Sequence, residues 1–186
     1  MSQNREKSTK HVLIDSAIEI LSEDPSSNLD NIAASAGLSR RTLHRYFESR
    51  EALISACVHE ISSVILEDVI RASKTEGSAL ERLRIMLDDD VAKGKHFEFC
   101  QKFSDSFKEE QVQIQFKQMG ELFYSLLDEL KRDGKVDSSL SNEWLSYLWM
   151  GIIKSTSQAL KEGVIAPKEA NDLAWSAFIN GVNANK

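Results

Sequence analysis

The residues best suited to chemistry lie between positions 37 and 47, where the sequence reads GLSRRTLHRYF. Three arginines and one histidine crowd this segment, yet Leu43 and Phe47 keep the i, i+4 spacing of one helix face. Arginine presents a planar fork of N–H donors that fits phosphate oxygens and the O6 and N7 atoms of guanine. The segment is therefore either a solvated helix face or a helix that binds an anionic partner.

The distribution of charge favours the anionic partner. The formal net charge is −6, but residues 1–50 carry 7 basic and 7 acidic residues, and the acidic excess lies in residues 51–186. Residues 37–50 alone carry four arginines and one glutamate. A basic patch on an acidic protein can bind phosphates through one defined face, while the acidic remainder disfavours indiscriminate binding.

Signals for catalysis or metal binding are weak. Asp88, Asp89 and Asp90 are consecutive, so on a helix they point in different directions and cannot converge on one ion. The four histidines show no ligand spacing with one another or with a cysteine. The sequence contains no glycine-rich phosphate loop and no nucleophile elbow. We predict no catalytic residue, no metal and no cofactor.

Composition indicates an ordered helical protein. Hydrophobic residues make up 41% and charged residues 28% of 186, which argues against wholesale disorder. Two prolines and eight glycines leave room for long helices. The polar N-terminus is no signal peptide, and the most apolar run, residues 144–153, is far shorter than the ~18 residues of a membrane span. We predict a cytoplasmic protein with no membrane partner.

Apolar periodicity predicts an all-α fold of about nine helices. We divide it into an N-terminal three-helix domain, residues 1–50, and a C-terminal helical bundle, residues 51–186. Pro25 separates the first two helices, Gly37 ends the second, and Ser39 caps the third. The predicted helices cover 8–23, 29–36, a third beginning after Ser39, 50–74, 79–92, 96–107, 110–132, 141–162 and 168–183.

Two short helices joined by a glycine turn, the second of them basic, have the layout of a helix-turn-helix. The full unit, LDNIAASAGLSRRTLHRYFESREALISA at residues 29–56, closely resembles the N-terminal domain of TetR-type transcriptional repressors. The family usually has a small residue at position 41, tyrosine at 44 and lysine at 50, where this chain has Arg41, His44 and Arg50. The matching positions are Ile32-Ala33, Ala36-Gly37-Leu38-Ser39, Thr42-Leu43, Tyr46-Phe47 and Ser49-Arg50-Glu51.

This resemblance implies double-stranded operator DNA as the partner. Residues at the major groove or its margins would be Ser39, Arg40, Arg41, Thr42 and Arg45, and residues on the phosphate backbone would be His44, Tyr46 and Arg50. It also implies a homodimeric, ligand-responsive repressor acting on a palindromic operator. The alternative is a helical small-molecule-binding protein or enzyme without DNA activity.

The last two helices carry small and apolar residues at helical spacing, which suits close packing against another helix. We predict that they form the homodimer interface; the alternative is an ordinary internal core. The predicted interface residues are Trp144, Leu148, Gly151, Ile152, Ser155, Ala170, Ala174, Ala177 and Phe178.

Six of the eight phenylalanines fall within residues 97–123. They predict either an ordinary core or, as the family resemblance implies, a pocket for an unidentified small-molecule effector that is apolar or aromatic. The predicted pocket residues are Phe99, Phe103, Phe107, Phe116, Met119 and Phe123.

Overall fold

The computed structural model describes the backbone of residues 2–183 and the side chains of residues 9–106 and 108–183. Over this range the chain forms nine α-helices and one 3-10 helix and no β-strand, which confirms the all-α prediction. The α-helices are α1 Ser2–Glu23, α2 Leu29–Ser35, α3 Arg40–Tyr46, α4 Arg50–Lys74, α5 Ala79–Ala92, α6 Gly94–Lys102, α7 Glu110–Arg132, α8 Asn142–Lys161 and α9 Pro167–Val182.

The prediction of a single helix over residues 96–107 is wrong, because the chain forms two elements there. After α6 comes the 3-10 helix Ser104–Lys108. The N–H of Phe103 still donates to the carbonyl of Phe99 (3.0 Å), but the N–H of Ser106 donates three residues back to Phe103 (2.9 Å). The segment Ser104-Asp105-Ser106 consists of residues whose side chains compete with helical backbone bonds, so it favours the tighter turn.

The described helices pack into two compact units. The first, called unit 1, contains residues up to 63 together with residues 95–113, and the second, unit 2, contains residues 64–94 and those from 114 onward. The core of unit 1 is apolar and almost completely inaccessible to solvent. Its members include Leu13, Ala17, Leu21, Ile32, Leu43, Phe47, Leu53, Cys57, Val58, Phe99 and Val112.

Residues 95–113 are tied to the rest of unit 1 by polar contacts as well as by Phe99. Lys95 Nζ lies 2.9 Å from a carboxylate oxygen of Glu19 in α1. Glu109 accepts hydrogen bonds from Ser55 Oγ (2.8 Å) and contacts His59 Nε2 (2.8 Å), both in α4. A segment that comes late in the sequence therefore holds α1 and α4.

Unit 2 is built around aromatic and aliphatic residues from α5, α7, α8 and α9. The ring of Trp149 lies 5.0 Å from that of Phe123 and meets Phe178 edge-on, also at 5.0 Å between centroids. Arg82 binds both carboxylate oxygens of Glu129 at 2.8 Å, which joins α5 to α7. No helix within the described range is long and apolar enough to cross a membrane.

Candidate nucleic-acid interface

The turn between α2 and α3 is closed by backbone hydrogen bonds that need a left-handed residue. Gly37 adopts φ = +66°, a conformation that residues with a Cβ rarely take. Its N–H donates to Ala34 O (3.0 Å), and the N–H of Leu38 donates to Ala33 O (2.8 Å). This is the glycine turn that the sequence predicts, and it fixes where α3 begins.

Helix α3 is capped at its N-terminus and anchored on one side. The N–H of Thr42 donates to Ser39 Oγ (3.1 Å), and the two hydroxyls lie 2.9 Å apart. Ser39 is therefore the predicted N-cap. Leu43 is fully buried and Phe47 nearly so, and these two side chains fix α3 on the core of unit 1. The remaining sides of the helix are left facing solvent.

Three arginines occupy the exposed side of α3. Arg40 Nη1 contacts Asp30 Oδ2 at 3.1 Å, but both side chains are more than half exposed (66% and 53%), so water screens the pair and its contribution is small. Arg41 makes no hydrogen bond or ion pair with any described residue. Arg45 lies over the ring of Tyr46, 4.9 Å from its centroid, and donates to its hydroxyl.

Most of the predicted DNA contacts thus lie together on one short helix. His44 is exposed, and its Nε2 accepts a hydrogen bond from Arg40 Nε (3.3 Å), while Thr42 and Tyr46 are half-buried. Because the cap, the turn and the anchors are all within ten residues of the arginines, local sequence patterns were enough to predict this surface.

Arg50 is placed differently from the other predicted contacts. It is the first residue of α4 and is half-buried. Its Nη1 donates to the carbonyl of Ser27 and its Nη2 to the carbonyl of Pro25, each at 2.5 Å. These acceptors lie 23 and 25 residues away and are backbone atoms, so no side-chain pattern in the sequence could reveal them.

The sequence reasoning also missed the organisation of the turn between α1 and α2. The Asp24 carboxylate accepts from Ser26 N–H (2.9 Å), from Ser26 Oγ (2.6 Å) and from Ser27 Oγ (2.9 Å). These hydrogen bonds, with those from Ser26 contributing most, lower the pKa of Asp24. On the other side, Lys102 Nζ donates to the Glu23 carbonyl at 2.8 Å. The DPSSN segment was a detectable signal, because Asp and Ser commonly close such turns.

The predicted effector residues divide between the two units. In unit 1, Phe99 is buried and its ring lies 4.6 Å from that of Phe103. In unit 2, Met119 is buried, Phe116 is half-buried and Phe123 packs on Trp149. Phe107 belongs to the 3-10 helix, and its side chain lies outside the described residues. That this set binds an effector stays a prediction.

The predicted interface residues fall on two sides of α8 and α9. An apolar groove of about 620 Å³ contains Leu148, Gly151, Ile152, Ser155 and Ala177, together with the strongly exposed Trp144 (55%), Tyr147 (76%) and Leu173 (49%). The sequence reasoning missed Tyr147 as a member of this exposed face.

Two of the predicted interface residues, Ala170 and Phe178, point inward, and a third, Ala174, is nearly buried although it also lines the groove. Ala170 and Ala174 are each 2% exposed and Phe178 is fully buried, and the Phe178 ring packs on Trp149. They recur at i, i+4 and i+8, so they form one stripe of α9, while Leu173 and Ala177 form another. We therefore assign Ala170 and Phe178 to the core of unit 2, while Ala174 borders both this core and the groove.

Comparison with known proteins gives matches for both sequence and fold. The model of the family "Bacterial regulatory proteins, tetR family" matches residues 13–57. The HTH-type transcriptional repressor LfrR of Mycolicibacterium smegmatis is 34% identical over 89 residues, covering 46% of this chain and 46% of that protein. An uncharacterized HTH-type transcriptional regulator of Mycobacterium tuberculosis is 35% identical over 99 residues, covering 48% and 49%. The chain spans about half the length of the curated relatives it matches.

Solved structures extend the likeness of fold to nearly the whole chain. LfrR of M. smegmatis in complex with proflavine superposes with a TM-score of 0.74 at 22% identity, covering 94% of this chain and 96% of that one. A TetR family transcription regulator from Marinobacter aquaeolei VT8 gives 0.74 at 19% identity, covering 98% of both chains. The family match over residues 13–57 spans the glycine turn, the capped α3 and the start of α4, so this part of the chain is similar to the tetR family of bacterial regulatory proteins.

Proposed function

We propose that this protein is a sequence-specific DNA-binding regulator that represses transcription as a homodimer and releases its operator when it binds a small molecule. The observation that carries the proposal is the surface of α3. A capped, anchored helix exposes Arg40, Arg41 and Arg45, and the first of these is only weakly paired. A helix of this width fits the major groove of B-DNA.

The exposed side chains suggest separate roles in DNA recognition. Arg41 is free of partners among the described residues, so its fork can bind guanine O6 and N7. Arg45 is held against Tyr46, which leaves it suited to the margin of the groove or a phosphate. Thr42 and Ser39 add hydroxyl donors at the helix N-terminus, where phosphate oxygens are favoured.

The groove between α8 and α9 supports the proposal of a homodimer. Trp144, Tyr147 and Leu173 leave large apolar side chains in water, while Gly151 and Ala177 permit a second helix to approach closely. Contiguous exposed apolar surface on an otherwise charged protein marks an interaction site. Two copies of α8 and α9 would form a four-helix bundle, and a two-fold dimer would require an operator with an imperfect palindrome.

Ligand responsiveness is proposed from the aromatic residues and from the relatives. Phe116 and Phe123 in unit 2 are each half-buried, and half-buried aromatic rings suit an apolar or aromatic effector. LfrR, the relative named as a repressor, was solved in complex with proflavine. We propose an apolar or aromatic effector for this chain. Such a ligand must bind the DNA-free conformation better than the DNA-bound one.

The test begins with duplexes selected by the wild-type protein from a random pool and assayed by mobility shift. Arg41→Ala should weaken binding of the selected duplex by ~1–3 kcal/mol and relax the preference at one position of each half-site. Arg132→Ala is the matched control, because it removes an exposed arginine at the end of α7. If no duplex is enriched over scrambled DNA, the protein is a helical binding protein or enzyme without DNA activity.

A further inference from the structure

The side chain of Arg50 connects two elements that flank the proposed DNA-binding surface. Its guanidinium donates through both terminal nitrogens to carbonyls of the α1–α2 turn, those of Pro25 and Ser27. The backbone of Arg50 itself opens α4, and the N–H of Ala52 donates to the capping hydroxyl of Ser49 (3.1 Å). One side chain therefore fastens the start of α4 to the turn that precedes α2.

The carbonyls of Pro25 and Ser27 are open to Arg50 because the N–H groups of Ser26 and Ser27 donate to Asp24 instead. The N–H of Ser26 donates to the Asp24 carboxylate (2.9 Å), and the N–H of Ser27 donates to the Asp24 carbonyl (3.1 Å). Pro25 has no N–H. Two carbonyls close together are well matched to the parallel donors of a guanidinium and poorly matched to a single ammonium nitrogen.

Fixing this turn also fixes the helix that supports α3. Asn28 follows the turn directly and caps α2 through the N–H of Asn31 (2.9 Å). The helix α2 then leads through the Gly37 turn to the capped α3, and Ile32 and Leu43 are fully buried in the same core. A displacement of the α1–α2 turn would therefore be passed on to the exposed arginines of α3.

We propose that Arg50 is a positioning residue, which holds the α1–α2 turn against α4 so that α3 is presented in one orientation. This proposal rests on the proposed function in DNA recognition. It differs from the prediction that Arg50 contacts the phosphate backbone of DNA, because here the side chain acts through two carbonyls of its own chain. A phosphate contact depends on the charge, whereas this role depends on the shape of the guanidinium.

The two roles are separated by comparing Arg50→Lys with Arg50→Met. If Arg50 positions the turn, both variants should bind the selected duplex about five- to twentyfold more weakly. Their affinity for scrambled duplex and the salt dependence of binding should be unchanged. If Arg50 binds a phosphate, Arg50→Lys should behave like the wild type. Arg50→Met should then weaken both duplexes alike, and the slope of log K against log salt should fall by about 0.9. The second result, or wild-type binding by both variants, overturns the proposal.

A measurement without DNA keeps this test independent of the proposed function. Amide hydrogen exchange of Ser26 and Ser27 should be about fivefold or more faster in Arg50→Lys, with amides of α8 unchanged. Unchanged exchange overturns the proposal even if DNA binding falls. If the wild type selects no duplex, the regulatory function fails, and amide exchange still decides whether Arg50 holds the turn. Arg132→Met, which leaves the turn intact, is the control. If circular dichroism shows that Arg50→Met is unfolded, the results for Arg50→Lys alone decide the test.

Discussion

Replacing Asp90 with asparagine should make this protein more stable at neutral and alkaline pH. Asp90 lies in α5, and its Oδ2 accepts a hydrogen bond from Trp149 Nε1 at 2.8 Å. Burial raises the pKa of Asp90 from 3.8 to about 7, although the Trp149 hydrogen bond opposes this shift. Asparagine keeps an oxygen for the indole and removes the group that must ionise.

The sign and size of the effect follow from proton linkage. Because the pKa of Asp90 is higher in the folded state, the folded chain holds this proton between about pH 4 and 7 while the unfolded chain has lost it. The stability linked to this proton is complete below about pH 4 and is lost as the pH rises through about 7. At ~1.4 kcal/mol per pKa unit, the shift from 3.8 to about 7 corresponds to roughly 4 kcal/mol at most.

Urea unfolding of the wild type and Asp90→Asn at pH 5, 6, 7 and 8 measures this directly. The advantage of Asp90→Asn should grow by roughly 2 to 3 kcal/mol between pH 5 and pH 8. Asp133→Asn, a change at an exposed aspartate, should show the same pH dependence of the free energy of unfolding as the wild type. Parallel stability curves for the wild type and Asp90→Asn would refute the reasoning, because they would show that Asp90 ionises as readily in the folded chain as in the unfolded one.

Three further predictions concern the cap, the proposed interface and the proposed pocket. Ser39→Ala should lower the free energy of unfolding by ~1 kcal/mol through loss of the α3 cap, and an unchanged urea midpoint would contradict this. Ala177→Glu should give monomers in sedimentation that bind the selected duplex poorly, whereas Lys168→Glu, on the same helix and outside the groove, should not; a dimer in both cases would place the interface elsewhere. Phe123→Ala should lose thermal stabilisation by aromatic compounds while retaining DNA binding, and an unaltered ligand response would show that this ring serves the core alone.

Local features of the fold could be predicted because their causes are close together in the sequence. The hydroxyl of Ser39 caps an N–H three residues away, and Gly37 closes a turn through its own backbone conformation. Leu43 and Phe47 lie one helical turn apart, so their shared burial follows from spacing alone. These residues define most of the proposed DNA-binding surface without reference to distant segments.

Features that depend on distant partners could not be predicted in the same way. The carbonyls that bind Arg50 carry no side-chain signature and lie 23 and 25 residues away. Asp90 is one of three consecutive aspartates, and its partner Trp149 lies 59 residues away in α8, so the sequence does not distinguish it from its neighbours. In α9, composition alone cannot separate the stripe of Phe178 from that of Ala177, because both are apolar and only the fold decides which faces the core.

The contacts made by residues 95–113 have a consequence for the order of events during synthesis. Lys95, Lys102 and Glu109 hold α1 and α4, yet they leave the ribosome only after residues 64–94. Until then the amino-terminal helices lack both these ties and the buried ring of Phe99. A nascent or truncated chain ending at residue 63 would therefore be an incomplete folding unit, and the finished unit 1 would be a late product of translation although most of its residues come first.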